Sequence, residues 1–241
     1  MLLEVALNGN RDHPATPRTP AQIAAEARSA IEAGAQLLHF HPYDAPGRET
    51  FDADDCARAI RAVRASCPGI PISLSTSATI EGDPEKRFRQ IAAWDEMPDL
   101  VTANQGEDGI IELCELLLSR GVGIEAGLLS TEDARLFVAS GLAPRCRRVL
   151  IESLETDPAD ALRDAETMER IIVEAGIRLE QVHHGEGVAS WAVNRRAVTR
   201  GHGIRTGLED TPVLPDGRQA RDNAELIAAA AAIIAQASQG A

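Results

Sequence analysis

Residues 2–41 contain a strand–helix–strand pattern in three parts, which are LLEVAL (Leu2–Leu7), AQIAAEARSAIEA (Ala21–Ala33) and QLLHFH (Gln36–His41). Thr19-Pro20 is typical of a helix N-cap followed by the first helical residue, and Gly34 is typical of the position just after a helix end. This unit predicts two parallel strands joined by a helix that packs on one face of the sheet.

The same alternation of short apolar runs and amphipathic, alanine-rich segments continues along the chain. The predicted strands are Leu2–Leu7, Gln36–His41, Ile70–Ser75, Leu100–Ala103, Val122–Ala126, Arg148–Ile151, Leu179–His183 and Gly203–Thr206. No linker separates these units, so they predict one α/β domain over residues 1–241, a compact (β/α)8 TIM barrel with short loops. A doubly wound open sheet is the alternative, but no Gly-x-Gly-x-x-Gly follows the first strand.

Composition narrows the class of protein. Lys and Arg number 24 against 37 Asp and Glu, which gives a net charge of −13 over 241 residues. This acidity argues against a nucleic-acid partner, because phosphate binding needs a basic field. No apolar run reaches the roughly 18 residues that span a bilayer, and the four cysteines lack CxxC spacing. We therefore expect a cytoplasmic protein with no membrane partner.

A candidate metal site begins with Leu38-His39-Phe40-His41-Pro42 at the end of the second strand. Residues two apart on a strand share a face, so His39 and His41 point the same way and could supply half of a zinc site. Glu209, just after the eighth strand, is the candidate third ligand. The alternatives are a hydrogen-bonded core histidine beside a loop histidine, and an ordinary acidic turn at Glu209-Asp210.

Candidate catalytic residues lie at neighbouring strand ends, where TIM barrels carry their chemistry. Asp210 is a candidate base, and Arg205 is a cation that could hold either Asp210 or a substrate carboxylate. Glu125 is a candidate catalytic residue because a buried glutamate is rare unless it is paired or ligated.

Polar residues at three further strand ends are candidates for binding substrate. Ser75 and Thr102 lie at the ends of the third and fourth strands, and Ser75 could donate to a carboxylate or carbonyl oxygen or merely cap the next helix. His184, at the end of the seventh strand, could supply a proton donor or a substrate contact, or belong to a glycine-rich loop.

These residues resemble the motifs of the β-keto acid cleavage enzymes. The most specific stretches are Glu32-Ala33-Gly34-Ala35 leading into His39-Phe40-His41, and Gly201-His202 leading into Arg205-Thr206-Gly207-Leu208-Glu209-Asp210-Thr211. The resemblance implies a zinc-dependent (β/α)8 homo-oligomer that reacts a β-keto acid with acetyl-CoA to give acetoacetate and a new acyl-CoA. It also implies that His39, His41 and Glu209 bind zinc, that Asp210 is the base partnered by Arg205, and that Ser75 and Thr102 bind the keto acid.

Two departures from the family pattern bear on the substrate. Arg11 stands about where the aminohexanoate-specific member of the family has an acidic residue, so we expect a neutral or anionic substrate tail.

The sequences around Glu152 and His184 depart from the glycine-rich loops of the family. Two alternatives to the CoA-dependent reaction therefore stay open. One is a zinc-dependent aldolase-type or hydrolytic cleavage without CoA, and the other is a non-catalytic metal-binding regulatory protein. If CoA binds, a local basic patch is needed, for which the candidates are Arg145, Arg147, Arg148, Arg195 and Arg196.

Overall fold

The computed structural model describes residues 1–239, which form a closed barrel of eight parallel strands paired in chain order. The strands are β1 (Leu3–Ala6), β2 (Leu37–Phe40), β3 (Ile72–Ser75), β4 (Leu100–Asn104), β5 (Gly123–Leu128), β6 (Arg148–Ser153), β7 (Glu180–Gly185) and β8 (Gly203–Thr206). The barrel closes where β1 pairs with β8. The predicted (β/α)8 barrel is confirmed, and the alternative of an open sheet is wrong.

One α-helix follows each strand. The helices are α1 (Pro20–Glu32), α2 (Ala53–Ser66), α3 (Pro84–Ala92), α4 (Ile110–Ser119), α5 (Thr131–Ser140), α6 (Pro158–Glu174), α7 (Ser190–Thr199) and α8 (Asn223–Gln239). The predicted cap of α1 is present, since the Gln22 amide donates to Thr19 Oγ1 at 3.3 Å and the Thr19 amide donates to Gln22 Oε1 at 3.0 Å. Within residues 1–239, no helix combines the length and the apolar character needed to cross a bilayer.

Each strand divides its side chains between two environments. Val5, Leu38 and Leu74 belong to the apolar core between the strands and the helices. Because successive strand residues face opposite sides, the residues that alternate with them, such as Glu4 and His39, face the barrel interior. The interior is therefore polar, and its polar side chains lie both in the middle of the barrel and at the ends of the strands.

The contact between β1 and β8 requires a residue without a side chain. A Cβ atom on Gly207 would overlap the carbonyl oxygen of Ala6. Glycine therefore lets the chain leaving β8 cross closely over the end of β1. As a result, Glu209 and Asp210 lie directly over the open end of the barrel.

A second polar cluster lies outside the barrel, between α6, α7 and the start of β8. Glu169 accepts from Arg196 Nη2 at 2.6 Å, from Arg200 Nη2 at 2.8 Å, and lies 3.1 Å from His202 Nε2. Burial raises the pKa of Glu169, but hydrogen bonds from Arg200, His202 and Arg196 outweigh it and lower the pKa to about 2. These contacts connect α6, α7 and the residue before β8.

We expect Glu169→Gln to lower the free energy of unfolding at pH 7 by about 2 kcal/mol, between the values for exposed and fully buried ion pairs. Because the folded-state pKa is depressed, the stabilisation is present above about pH 4.5 and is lost as the pH falls towards 2. Urea unfolding at several pH values measures the effect, with Glu174→Gln on the exposed face of α6 as the control. A Glu169→Gln deficit that did not shrink below pH 4 would contradict this assignment.

Candidate active site

A cavity of about 340 Å³ opens at the carboxyl ends of the strands. The predicted site residues that line it are Arg11, His39, His41, Ser75, Thr102, Arg205 and Glu209. A larger groove of about 520 Å³ lies on the outside of the barrel, along α3 and the start of α4, and no histidine lines it. The chemistry suggested by the sequence therefore collects in the cavity at the barrel mouth.

His39, His41 and Glu209 form a compact cluster in this cavity. The Nε2 atoms of both histidines lie 3.5 Å from Glu209 Oε2. His41 Nε2 and Glu209 Oε2 are buried and have no hydrogen-bond partner within residues 1–239. In a tetrahedral zinc site with bonds of 2.0–2.1 Å, adjacent ligand atoms lie about 3.3 Å apart. The donor types and their spacing therefore fit a small divalent cation.

Residues behind the histidines hold the rings in place. Glu49 Oε1 lies 2.5 Å from His41 Nδ1, and the side chain of Asn8 bonds the backbone on both sides of His41, at 2.8 Å from its amide and 3.0 Å from its carbonyl oxygen. His39 Nδ1 lies 3.4 Å from Thr102 Oγ1 and 3.5 Å from Ser73 Oγ. With Nδ1 engaged, each ring directs Nε2 at the cluster, as metal-binding histidines require.

The two imidazoles differ in their affinity for a proton. Burial lowers the pKa of His39 to about 3, so that ring is neutral. Burial also lowers the pKa of His41, but Glu209 and the hydrogen bond to Glu49 outweigh it and raise the pKa to about 9. Without a cation, a proton on His41 therefore balances the carboxylates around it.

Arg205 connects this cluster to Asp210. Its Nη2 atom lies 2.7 Å from Asp210 Oδ1 and 2.9 Å from Glu209 Oε1, and its Nε donates to Asp210 Oδ2 at 3.3 Å. Burial raises the pKa of Asp210, but Arg205 and then His184 outweigh it and lower the pKa. Asp210 is therefore an ionised carboxylate beside the cavity, which is the state that a base needs.

His184 and Glu125 lie behind the cavity rather than on its wall. The His184 side chain is 1% exposed, and its Nδ1 lies 3.2 Å from Asp210 Oδ1. Glu125 is fully buried, accepts from Ser73 Oγ at 2.5 Å, and lies 3.4 Å from Arg148 Nε. The roles of Glu125 in catalysis and of His184 in direct substrate binding stay predictions, whereas Ser75 and Thr102 do line the cavity.

Arg11 lies at the rim of the cavity and is held from two sides. Its Nε donates to the carbonyl oxygen of Glu209 at 3.1 Å, and its Nη2 forms an ion pair with Glu186. The Arg11 side chain is 27% exposed. Arg11 and Glu186 both line the cavity, so the rim carries a paired cation and anion there.

Three of the five arginines proposed for a basic patch contact acidic side chains. Arg145 pairs with Glu115, Arg148 contacts Glu125 inside the barrel, and Arg196 pairs with Glu169. Arg148 begins β6 and so lies at the end of the barrel opposite the cavity. These contacts argue against a part for Arg145, Arg148 and Arg196 in a basic patch for CoA, and the patch itself stays a prediction.

Two acidic residues of the site were not predicted as site residues from the sequence. Glu49 reaches His41 from the loop after β2, and Glu152, on β6, lines the cavity. Neither belongs to a spaced motif with the histidines. The one available signal was the position of Glu152 near a strand end, where inward groups face the barrel mouth.

A second group of residues with metal-binding side chains is less suited to a cation. Glu169, His183 and His202 lie close together, but Arg196 and Arg200 both pair with Glu169. The two guanidinium groups place positive charge where a metal ion would bind, and His183 stacks on His202 with ring centroids 4.8 Å apart. The cluster of His39, His41 and Glu209 is therefore the candidate metal centre.

The fold and the site together define an α/β-barrel protein with a His–His–Glu cluster beside a buried Arg–Asp pair. The sequence profile of the β-keto acid cleavage enzymes matches residues 1–112 and 154–240. The chain belongs to the β-keto acid cleavage enzyme family. Residues 113–153, which include Glu125 and Glu152, lie outside the matched segments.

Individual relatives agree with this family. The chain is 27% identical over 228 residues to a 3-keto-5-aminohexanoate cleavage enzyme of Fusobacterium nucleatum, covering 89% of this chain and 82% of the relative. It is 29% identical over 107 residues to a 3-oxoadipate:acetyl-CoA acetyltransferase of Cupriavidus necator, covering 43% and 37% of the two chains. The apo structure of ObcA is similar in fold, with a TM-score of 0.70 and 19% identity. That match covers 95% of this chain and 63% of ObcA.

Gly9 provides a test of the metal centre. Its φ is +72°, and an added Cβ would lie 2.8 Å from Glu209 Cγ. We expect Gly9→Ala to displace Glu209 and to weaken zinc binding at least about tenfold, as changes next to metal ligands commonly do. Gly47→Ala is the matched control, because Gly47 has a φ of +84° and open space around it. Isothermal titration with zinc measures both, and equal affinities would contradict the assignment of Glu209 as a ligand.

Proposed function

We propose that the protein is a zinc-dependent enzyme that exchanges acyl groups between a β-keto acid and acetyl-CoA. The products are acetoacetate and a new acyl-CoA. The bond between C2 and C3 of the keto acid breaks, C2 becomes bonded to the acetyl carbonyl carbon, and the thiol of CoA ends on the released acyl group. Membership of the β-keto acid cleavage enzyme family and the similarity to an acetyl-CoA acetyltransferase support this reaction.

The main support for the proposal is that the candidate metal ligands lie directly beside the candidate base and its arginine partner. Glu209 directs Oε2 towards His39 and His41, and its Oε1 accepts from the same guanidinium that holds Asp210. His39, His41 and Glu209 would hold zinc, which when bound polarises a carbonyl group as a Lewis acid. Asp210, as the base, would then lie next to the position where the substrate carbonyl is activated.

The residues of this chain then supply the remaining steps. An ionised Asp210 accepts the proton from C2 of the keto acid, a carbon made acidic by its position between a carbonyl and a carboxylate. Arg205 holds Asp210 with two nitrogens and keeps it oriented. The hydroxyl groups of Ser75 and Thr102, on the cavity wall, donate hydrogen bonds to the substrate carboxylate.

A second candidate is a zinc-dependent aldolase-type or hydrolytic cleavage that does not use CoA. It is favoured by the pairing of Arg145, Arg148 and Arg196 with acidic partners, which removes them as binding groups for the phosphates of CoA. The two candidates share the metal centre and the base. They differ in whether cleavage of the keto acid depends on acetyl-CoA.

We expect the zinc-loaded protein to consume β-keto acids only in the presence of acetyl-CoA and to form acetoacetate in equal amount. His39→Ala should abolish zinc binding and turnover, while Asp210→Asn should keep zinc and lose at least about a thousandfold in kcat, within the range for loss of an essential base. Liquid chromatography of the CoA esters with metal analysis measures both. Cleavage without acetyl-CoA would support the second candidate, and full activity of either variant would refute the site assignment.

Arg11 predicts the charge of the substrate tail. Because Arg11 faces the cavity, a keto acid with a neutral or carboxylate tail should be preferred over one with an ammonium tail. Arg11→Glu places a carboxylate beside Glu186 and should shift the ratio of kcat/KM values towards the amino substrate by about tenfold or more. Arg11→Gln, which only removes the charge, should give an intermediate ratio. Equal use of both tails, unchanged by Arg11→Glu, would contradict this role.

A further inference from the structure

Glu107, in the loop after β4, joins that loop to the loop after β3. Its Oε1 atom accepts hydrogen bonds from the Ala78 amide at 2.9 Å and from Asn104 Nδ2 at 2.9 Å, and Ser77 Oγ donates to it at 3.4 Å. Its other oxygen, Oε2, forms an ion pair with Arg87. Both oxygens of this carboxylate therefore accept from groups of neighbouring segments.

Arg87, on α3, is the buried half of the ion pair. Its side chain is 1% exposed, against 15% for that of Glu107. The same guanidinium donates to the carbonyl oxygen of Thr76 at 3.3 Å and to that of Asp108 at 2.5 Å. Removing one partner of a buried ion pair leaves an uncompensated charge, which is strongly unfavourable. Arg87 and Glu107 together therefore hold α3 and the two loops in one arrangement.

The network extends to Ser75, which lines the cavity. The Ser77 amide donates to Ser75 Oγ at 3.3 Å. A hydroxyl group has one hydrogen to donate and two lone pairs that accept. Because the Ser77 amide occupies one lone pair, the O–H bond of Ser75 points away from that amide and is free to donate into the cavity. The turn at residues 75–78 thus sets the direction in which Ser75 can donate.

We propose that Glu107 is a positioning residue for the keto acid, which acts by fixing the turn at residues 75–78 and with it the donor direction of Ser75. Glu107 acts through Ser75, because within the described part of the chain it is not among the residues that line the cavity. The inference rests on the proposed function, in which Ser75 donates to the substrate carboxylate.

Glutamine has nearly the same size as Glu107 but cannot make the same contacts. A carboxylate accepts at both oxygens, whereas an amide side chain accepts at one end and donates at the other. In one orientation, the NH2 group of Glu107→Gln would face the Arg87 guanidinium. In the other, it would face the Ala78 amide and Asn104 Nδ2. The substitution should therefore loosen the turn while it leaves the size of the side chain unchanged.

The first experiment separates substrate binding from turnover. Glu107→Gln should raise the KM for the keto acid about tenfold, as expected for a lost hydrogen bond to a charged group, with kcat and the KM for acetyl-CoA nearly unchanged. Asp108→Asn, at an exposed neighbour, should resemble the wild type. Glu107→Asp keeps the carboxylate but shortens it, and should give a smaller rise. An unchanged KM for the keto acid, or a fall in kcat alone, would overturn the proposal.

The second experiment tests whether Glu107 acts through Ser75. Ser75→Ala removes the hydroxyl group and should itself raise the KM for the keto acid. In the double variant Glu107→Gln with Ser75→Ala, this KM should be no higher than in Ser75→Ala, because residues of one network are non-additive. Multiplied losses would mean that Glu107 acts independently of Ser75 and would overturn the proposal.

The third experiment observes the turn without turnover, by hydrogen exchange. The amides of Ser77 and Ala78 should exchange faster in Glu107→Gln than in the wild type, because a loosened loop opens more often. Asp108→Asn should leave both rates unchanged. Equal rates in Glu107→Gln and the wild type would overturn the proposal.

These readouts separate failure of this inference from failure of the proposed function. If the wild type turns over no β-keto acid, the proposed function fails, while hydrogen exchange still decides whether Glu107 fixes the turn. If the wild type is active and the KM for the keto acid does not change in Glu107→Gln, the proposed function stands and the positioning role of Glu107 falls. Thermal unfolding verifies that each variant is folded, and if Glu107→Gln is not, the KM of Glu107→Asp decides in its place.

Discussion

The buried guanidinium of Arg205 is the interaction on which the site depends. It places one positive charge between the carboxylates of Asp210 and Glu209, all at the end of β8. An unpaired charge in such a position costs several kcal/mol, so the two acids could not lie side by side without it. Because Arg205 occupies Oε1 of Glu209, the other oxygen is left for the histidines and for a cation. Arg205 thus orients the candidate base, Asp210, and also leaves Oε2 of Glu209 free to bind a cation.

Much of this arrangement is readable in the sequence because it follows from strand periodicity. The spacing of His39 and His41 fixes a shared face once β2 is recognised, and the order of eight strand–helix units fixes the barrel. Glu209 and Asp210 follow β8 immediately, so they reach the same end of the barrel as the histidines. Arg205, Ser75 and Thr102 lie at strand ends for the same reason, and each of them lines the cavity.

The remaining features depend on contacts that no local pattern encodes. Glu49 meets His41 because a loop folds back over β2, and Glu152 meets His184 because β6 and β7 pair in one particular register. The partners of Arg145 and Arg196 lie about thirty residues away in sequence, so their neutralisation was hidden. The contacts of Glu125 to Ser73 and Arg148 within the barrel were equally hidden, and its catalytic role stays a prediction.

We propose that His39, His41 and Glu209 form a zinc centre beside Asp210. Anomalous diffraction at the zinc absorption edge, from crystals of the zinc-loaded protein, tests it most directly. We expect one strong anomalous peak bonded to the Nε2 atoms of His39 and His41 and to Glu209. A peak at Glu169, His183 and His202 instead, or no peak at the barrel mouth, would contradict it.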